Sequence, residues 1–367
     1  MEEKGTPREV ISAQLIGYRA LDTPHTRILS SMCTIPHQIA EEAKRLFAAS
    51  NLGDPAVFAG AAKIEQLLIE SLGDLLHCKT ASGWMTSGGT ESNLQAIRAA
   101  KKRKKTEKPN IVVPESAHFS FYKICDILGL EMRTVPYAPG KYIADTGRMA
   151  ELIDKNTIAV SAVAGSTEYG TIDDIRTIAK ITRETDTYLH VDAAFGGFVI
   201  PFLKNPVPFD FAVEGVDSVS LDPHKMGLGT IPGGCLLFRE EEDVKALRVS
   251  TPYLISKEQT TLTGTRPGAD AAAAYAVITY LGREGFRDIV AGCMENTRRL
   301  TAGLSAFGYE KVLDPVLNLT VFRDFAVPDG WMVSHTGRHE LRFVLMPHVT
   351  RDVVEAFLAD IAEQKQK

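Results

Sequence analysis

The run SLDPHKMGLGTIPGGCLLF, Ser220 to Phe238, sets His224 and Lys225 side by side between two apolar segments. The first, DSVSL, ends just before Asp222 and Pro223; the second, GGCLLF, follows a glycine-studded turn. Both segments read as short strands bounded by turn residues, so the lysine falls at a sheet edge. A lysine confined there can have a lowered pKa, and its neutral amine is a nucleophile toward carbonyls. Taken singly, a lysine snorkelling to solvent is the simpler reading. The rest of the chain decides between them.

Working outward, strands and helices alternate from about residue 80. TIAVSAVAGST (157–167) is a continuous β-branched, apolar run, as expected of a strand buried on both faces. DDIRTIAKITRETD is a helix with an acidic first turn. YLHVDAAFGG is another short strand with polar residues at its end. This alternation predicts an α/β fold with a mostly parallel sheet covered by helices. Upstream, PHQIAEEAKRLFAASN and AAKIEQLLIESLGDLLH have helical spacing, with the loop LGDPAVF between them. Downstream of Arg239, two helices, short strands (NLTVF, ELRFVLM) and a terminal helix predict a smaller α+β unit. The expected division is an N-terminal arm (1–50), a large α/β domain (51–245) and a small C-terminal α+β domain (246–367). The basic run KKRKK (101–105) ends a helix, where cations suit the dipole, and reads as a solvated helix end.

Two further stretches carry polar residues where open α/β sheets hold ligands. In TSGGTESN (86–93), Gly88 and Gly89 allow a tight turn and Thr90 can cap the helix beside it. Amides at such a helix start suit phosphate. No Gly-Lys-Ser/Thr follows, so this is not a Walker loop. In HVDAAFGG (190–197), Asp192 ends an apolar strand, where a carboxylate is costly unless it meets a cation. His190 and Asp192 have no third ligand at a supporting spacing, so no metal is expected. Asp192 and Lys225 lie 33 residues apart. Together a phosphate turn, a strand-end Asp and a Lys are the three handles of pyridoxal phosphate. The helix start takes the phosphate, the Asp pairs with the pyridinium nitrogen, and the Lys forms the Schiff base.

SLDPHKMGLG, HVDAAFGG and TSGGTESN resemble the group II pyridoxal-phosphate decarboxylases of the aspartate aminotransferase fold, fold type I. The resemblance covers nearly the whole chain. It is strongest to the archaeal branch acting on L-tyrosine or L-aspartate, through SSMCTIPHQIA, NLGDPAVFAG, TPYLISKEQTTLTGTRPGA and LRFVLMPHVTRD. It implies a fold type I enzyme with a small C-terminal domain, forming a homodimer with shared active sites. Lys225 matches the Schiff-base lysine and His224 its neighbour near the phosphate. Asp192 matches the pyridine partner, Ala194 the small residue under the ring, and His118 (in PESAHFSFYK) the histidine stacked on it. Gly89 and Thr90 match the phosphate turn, and Thr167 (in GSTEYGTIDDI) a cofactor-contacting threonine. Thr265 (in GTRPG) is placed to reach the phosphate of a neighbouring subunit. Arg342 is the candidate for the substrate α-carboxylate. Larger members carry a long mobile loop after the lysine, with a tyrosine that protonates the product. Here Lys225 to Gly264 is short, Tyr253 (in TPYL) is the nearest equivalent, and His118 is the rival donor.

The implied reaction is decarboxylation of an L-amino acid: L-tyrosine to tyramine, serving methanofuran synthesis, or L-aspartate to β-alanine, serving coenzyme A. Ser31 and Asn51 are candidates for the side-chain pocket, and Arg19, Arg27 or Arg266 for a cation facing a β-carboxylate. L-Glutamate decarboxylation, a carbon–carbon lyase of the sphingosine-phosphate type, and a non-catalytic pyridoxal-phosphate binder are the alternatives. A net charge of −5 gives no reason to expect nucleic acid or an anionic membrane as partner. No run of 18 apolar residues predicts a membrane span, and the polar MEEKGTPREV has no signal-peptide core. Five scattered Cys without a Cys-x-x-Cys read as reduced thiols in a cytoplasmic protein.

Overall fold

The computed structural model describes residue 1 and residues 3–366. Seven strands form one sheet: β1 (Ser82–Thr86), β2 (Asn110–Pro114), β3 (Glu131–Val135), β4 (Thr157–Val163), β5 (Tyr188–Asp192), β6 (Ser218–Leu221) and β7 (Gly234–Phe238). Their order is β1-β7-β6-β5-β4-β2-β3. Pairings from β6 through β3 are parallel; β7 runs antiparallel to both β6 and β1. β4 is buried at every position, the reason its sequence is apolar without alternation.

The helices in chain order are α1 (Arg8–Arg19), α2 (Gln38–Leu46), α3 (Ala59–Leu75), α4 (Gly89–Arg103), α5 (Ser120–Leu128), α6 (Thr146–Leu152), α7 (Ile175–Glu184), α8 (Glu241–Lys245), α9 (Gly268–Ala306) and α10 (Arg351–Gln366). Two helices are predicted after residue 267, and the run Gly268–Ala306 is two helices end to end, broken at Gly282, which has φ 56°. Its first part packs in the core of the large sheet through Ala271, Ala274 and Val277. Its last turns enter a second core through Leu300 and Leu304. After a two-residue ribbon, β8 (Val249–Ser250) with β9 (Glu258–Gln259), three strands complete the chain: β10 (Leu319–Phe322), β11 (Ser334–His335) and β12 (Leu341–Val344). They pair antiparallel in the order β10-β12-β11 under α10. No helix among the described residues is long and apolar enough to cross a membrane.

The N-terminal segment divides in two. No side chain of α1 is buried. Leu29 is fully buried in the second core, and its amide and carbonyl bond Met332 and Val344. Residues 28–34 are thus threaded alongside β12. Parallel strands β2, β4, β5 and β6 all end at one edge of the large sheet. The chain leaves them at Pro114, Val163, Asp192 and Leu221, and each departure delivers polar residues to the same place.

Candidate active site

A cavity of about 290 Å³ opens at that edge, near the lower end of the range for small-ligand pockets. β2 delivers Ser116 and His118, β4 delivers Gly165 and Thr167, β5 delivers Asp192, Ala194 and Phe195, and β6 delivers Asp222, His224 and Lys225. The β1–α4 turn adds Ser87, Gly88, Gly89, Thr90 and Asn93. Eight of the residues that the motifs single out are therefore together: Gly89, Thr90, His118, Thr167, Asp192, Ala194, His224 and Lys225.

The turn is glycine for two reasons. Gly88 has φ 146°, a region closed to side chains. A Cβ on Gly89 would come 3.0 Å from Ala194 Cβ and 3.3 Å from an Asp222 oxygen. Thr90 does not cap α4, contrary to expectation. The N-cap position is Gly88, and Thr90 lies inside the first turn. Glu91 takes over part of the capping, accepting from the Ser87 amide and hydroxyl at 2.8 Å each.

Lys225 also departs from expectation. Its side chain is 19% exposed, and Nζ lies 3.0 Å from Asp222 Oδ2. Burial pulls the ammonium pKa down, but Asp222 and Asp192 pull harder, and the net shift is upward. Asp222, not singled out by the sequence motifs, stands three residues before the lysine across a turn, and that i, i+3 spacing is the signal for the pair. Its carboxylate is 1% exposed, accepts a hydrogen bond from the Gly89 amide at 3.2 Å, and leaves Oδ1 without a partner among the described residues. It therefore competes for one of the amides expected to hold phosphate. His224 bonds Gly233 O through Nδ1, and its Nε2 lies 3.9 Å from Asp222. His118 accepts the Ser120 amide at Nδ1, and burial holds its imidazole below the ordinary range, against the pull of Asp192.

Arg342, on β12, is not among the residues lining the cavity and meets it only through Thr167. It donates to Thr167 O, to Ser30 O at 3.0 Å and to Ser334 Oγ at 2.9 Å. Burial lowers its pKa to about 10, against the pull of Glu168. Among the described residues no carboxylate lies within ion-pairing distance of it. A buried guanidinium bound only to neutral groups is a costly arrangement that an anionic ligand would relieve.

The remaining candidates stand elsewhere. Tyr253 is 83% exposed and does not line the cavity. Thr265 lines a neighbouring 180 Å³ cavity that shares Ser87 with the first. Asn51 is a structural joint, its Oδ1 accepting the Gly53 and Arg266 amides. Ser31 Oγ closes a local turn onto Cys33 backbone. The Cys33 thiol is raised by burial, with Lys225 pulling its pKa down and Asp222 pushing it up. The three arginines considered for a β-carboxylate are engaged: Arg19 with Asp22, Arg27 with Asp360, and Arg266 in a fork with Glu65.

The residues suit pyridoxal phosphate: a glycine cradle at a helix start, an acid ending β5, a buried lysine, and a carboxylate oxygen of Asp222 with no partner. The fold and this cavity define a fold type I pyridoxal-phosphate enzyme. The chain matches the family model described as the pyridoxal-dependent decarboxylase conserved domain over residues 55–324. It is 64% identical, over 99% of its length and 100% of the relative's, to a probable L-tyrosine/L-aspartate decarboxylase of Methanocorpusculum labreanum. It is 48% identical to a probable L-aspartate decarboxylase of Archaeoglobus fulgidus, over 95% of this chain and 98% of that one. A sphingosine-1-phosphate lyase from Burkholderia pseudomallei superposes with a TM-score of 0.91 at 26% identity, covering 100% of this chain and 92% of the other. The chain belongs to the pyridoxal-dependent decarboxylase family: it is a carboxy-lyase whose cofactor is pyridoxal phosphate.

Proposed function

We propose that the protein decarboxylates L-tyrosine to tyramine and L-aspartate to β-alanine, with L-tyrosine the better substrate. The observation that carries this reading is Arg342, a buried guanidinium without a carboxylate, beside a cavity whose lining contains no arginine. One arginine serves an α-carboxylate. A second carboxylate, as in aspartate, finds no arginine of its own in this chain's cavity, whereas a phenol ring needs none. The names of the archaeal relatives support the same pair of substrates. Tyramine would feed methanofuran synthesis and β-alanine coenzyme A synthesis.

Lys225 would hold the cofactor aldehyde through its amine, Asp192 the proton of the ring nitrogen, and Ser87, Gly89, Thr90 and His224 the phosphate. Ala194 and His118 would border the ring's two faces, with Thr167 at its edge. When bound, pyridoxal phosphate supplies a pyridinium ring that takes up the electron pair released as the Cα–carboxylate bond breaks. Arg342 orients the carboxylate that leaves. We assign the delivery of a proton to Cα to His118 over Tyr253 because it faces the cavity; for this step the ring must first release the Ser120 amide and take up a proton from solvent. We place the turn carrying Ser31 and Cys33 on the substrate side.

We divide the chain into an arm (1–50), a large domain (51–245) and a small domain (246–367), and read it as a cytoplasmic homodimer with shared sites. Support comes from α1, whose apolar Ile11, Leu15, Ile16 and Tyr18 are exposed in the single chain. In that dimer Thr265 would reach toward the neighbouring phosphate. Light scattering during size-exclusion chromatography tests this part. The function is tested by loading the protein with pyridoxal phosphate, adding all common L-amino acids, and searching by mass spectrometry for products lacking CO2. Tyramine in excess over β-alanine is the expected result. No amine from a cofactor-loaded protein would reject the reading and send the retro-aldol assay, prompted by the lyase resemblance, to the front.

A further inference from the structure

Behind Asp192 lies a run of polar side chains in the middle of the large sheet's core. Asn93, His190, Ser218 and Ser220 are each 0–1% exposed. Asn93 Nδ2 donates to Asp192 Oδ2 at 2.7 Å. Asn93 Oδ1 lies 2.9 Å from His190 Nε2 and 3.1 Å from the Ser220 hydroxyl. His190 Nδ1 lies 2.9 Å from Ser218 Oγ. The second oxygen of Asp192 takes the Ala194 amide at 3.1 Å, with Ser220 Oγ 3.4 Å away.

The chemistry of each group leaves one arrangement. A carboxylate only accepts, so the Asn93 amide nitrogen faces Asp192 and its oxygen faces away. That oxygen also only accepts, so His190 carries its proton on Nε2. Burial holds the His190 pKa below the ordinary range, so the ring is neutral and Nδ1 accepts from Ser218. Donors thus run in one direction: Ser218 to His190, His190 to Asn93, Asn93 to Asp192. An apolar core at these positions would fold at lower cost, because a buried polar chain is worth having only when every member is satisfied. Here all are, and the chain ends on a carboxylate that faces the cavity.

We propose that Asn93, itself locked by His190 and Ser218, is the positioning residue that keeps Asp192 turned toward the cofactor's ring nitrogen and keeps the shared proton on that nitrogen. The inference rests on the reading that Asp192 partners the ring nitrogen. Without Asn93, Asp192 loses its shortest donor; its charge is then less well held and the proton moves from the ring toward the carboxylate. A ring that has lost its proton is a poorer electron acceptor.

The test uses holoenzyme reconstituted with pyridoxal phosphate labelled with 15N in the ring, and reads the ring-nitrogen chemical shift. Asn93→Ala should move it toward the unprotonated value, with smaller displacements for His190→Leu and least for Ser218→Ala. In Asn93→Ala, kcat should fall about 10- to 100-fold, the size typical of residues that orient a ligand-holding side chain, with KM changed far less. Ser218→Ala removes one hydroxyl, so it supplies the answer if the Asn93 variant does not fold. Asp192→Asn separates the two ways to fail. If it leaves the shift in place, Asp192 is not the ring's partner and the underlying reading falls. If it moves the shift while the soluble Asn93, His190 and Ser218 variants all keep the wild-type value, the relay is overturned, whatever their loss of thermal stability.

Discussion

Asp192 and Asp222 face the same cavity from neighbouring strands, and the fold treats them differently. Asp192 ends β5 and is held by the Asn93 amide, the Ala194 amide and the Ser220 hydroxyl. Asp222 follows β6, shares one oxygen between Lys225 and Gly89, and leaves the other without a partner. A carboxylate with a donor on each oxygen is held in place and still keeps a lone pair for one further donor. One with a buried free oxygen carries a desolvation cost that only a further donor removes. The difference separates an acid that holds a fixed charge from one free to change partners as a ligand arrives.

The largest effect should come from the cation that both acids pull on. Lys225→Ala should lower kcat by at least about 10³-fold and abolish the visible absorption of the loaded protein. Retention of that band would remove Lys225 from its role. Next, the two acids should separate. Asp192→Asn should cost on the order of 10²-fold in kcat. Asp222→Asn should cost less and instead act on the lysine. Asp222 raises the Lys225 pKa, so its neutralisation lets the amine deprotonate at lower pH. Cofactor loading should therefore shift to the acid side by up to about one pH unit. Equal kcat losses with an unmoved loading profile would erase the distinction between the two acids.

Arg342→Lys keeps the charge but loses the fork. KM for L-tyrosine should rise about tenfold, or about 1.4 kcal/mol, with kcat less affected. A larger loss with L-aspartate than with L-tyrosine would instead assign Arg342 to the side-chain carboxylate. The smallest effect concerns stability. His190 has a folded-state pKa below its unfolded one, so its contribution is complete above the ordinary histidine pKa of about 6.5. It is lost as pH falls below that value, because only the unfolded chain gains the proton. The slope is at most about 1.4 kcal/mol per pH unit. His190→Gln should flatten the pH dependence of denaturant midpoints in this window while leaving it unchanged above pH 7.

Much of this was legible in the residue order. β4 is buried at every position and mostly apolar because both faces are covered, and such a run looks the same before and after folding. Lys225 and Asp192 were legible because one follows a strand and the other ends one, and parallel strands deliver their ends to one edge; His118 was named only through the family resemblance. Asn51 was named from the stretch NLGDP, and residue order does not show that the backbone amides of Gly53 and Arg266 claim its oxygen. Thr90 was misread because a threonine next to a glycine turn looks like a cap, and only the backbone places Gly88 there. Tyr253 could be named from its neighbours, but its 83% exposure could not.

Local order, then, determined the α/β alternation, the strand ends and the three cofactor handles, since periodicity and turn chemistry act between near neighbours. The tertiary structure alone decided the charge of Lys225, the partners of Arg342 and the relay behind Asp192. Those depend on residues such as Asn93 and His190, 97 positions apart, being pressed together away from water, where hydrogen-bond direction and burial take over from sequence distance.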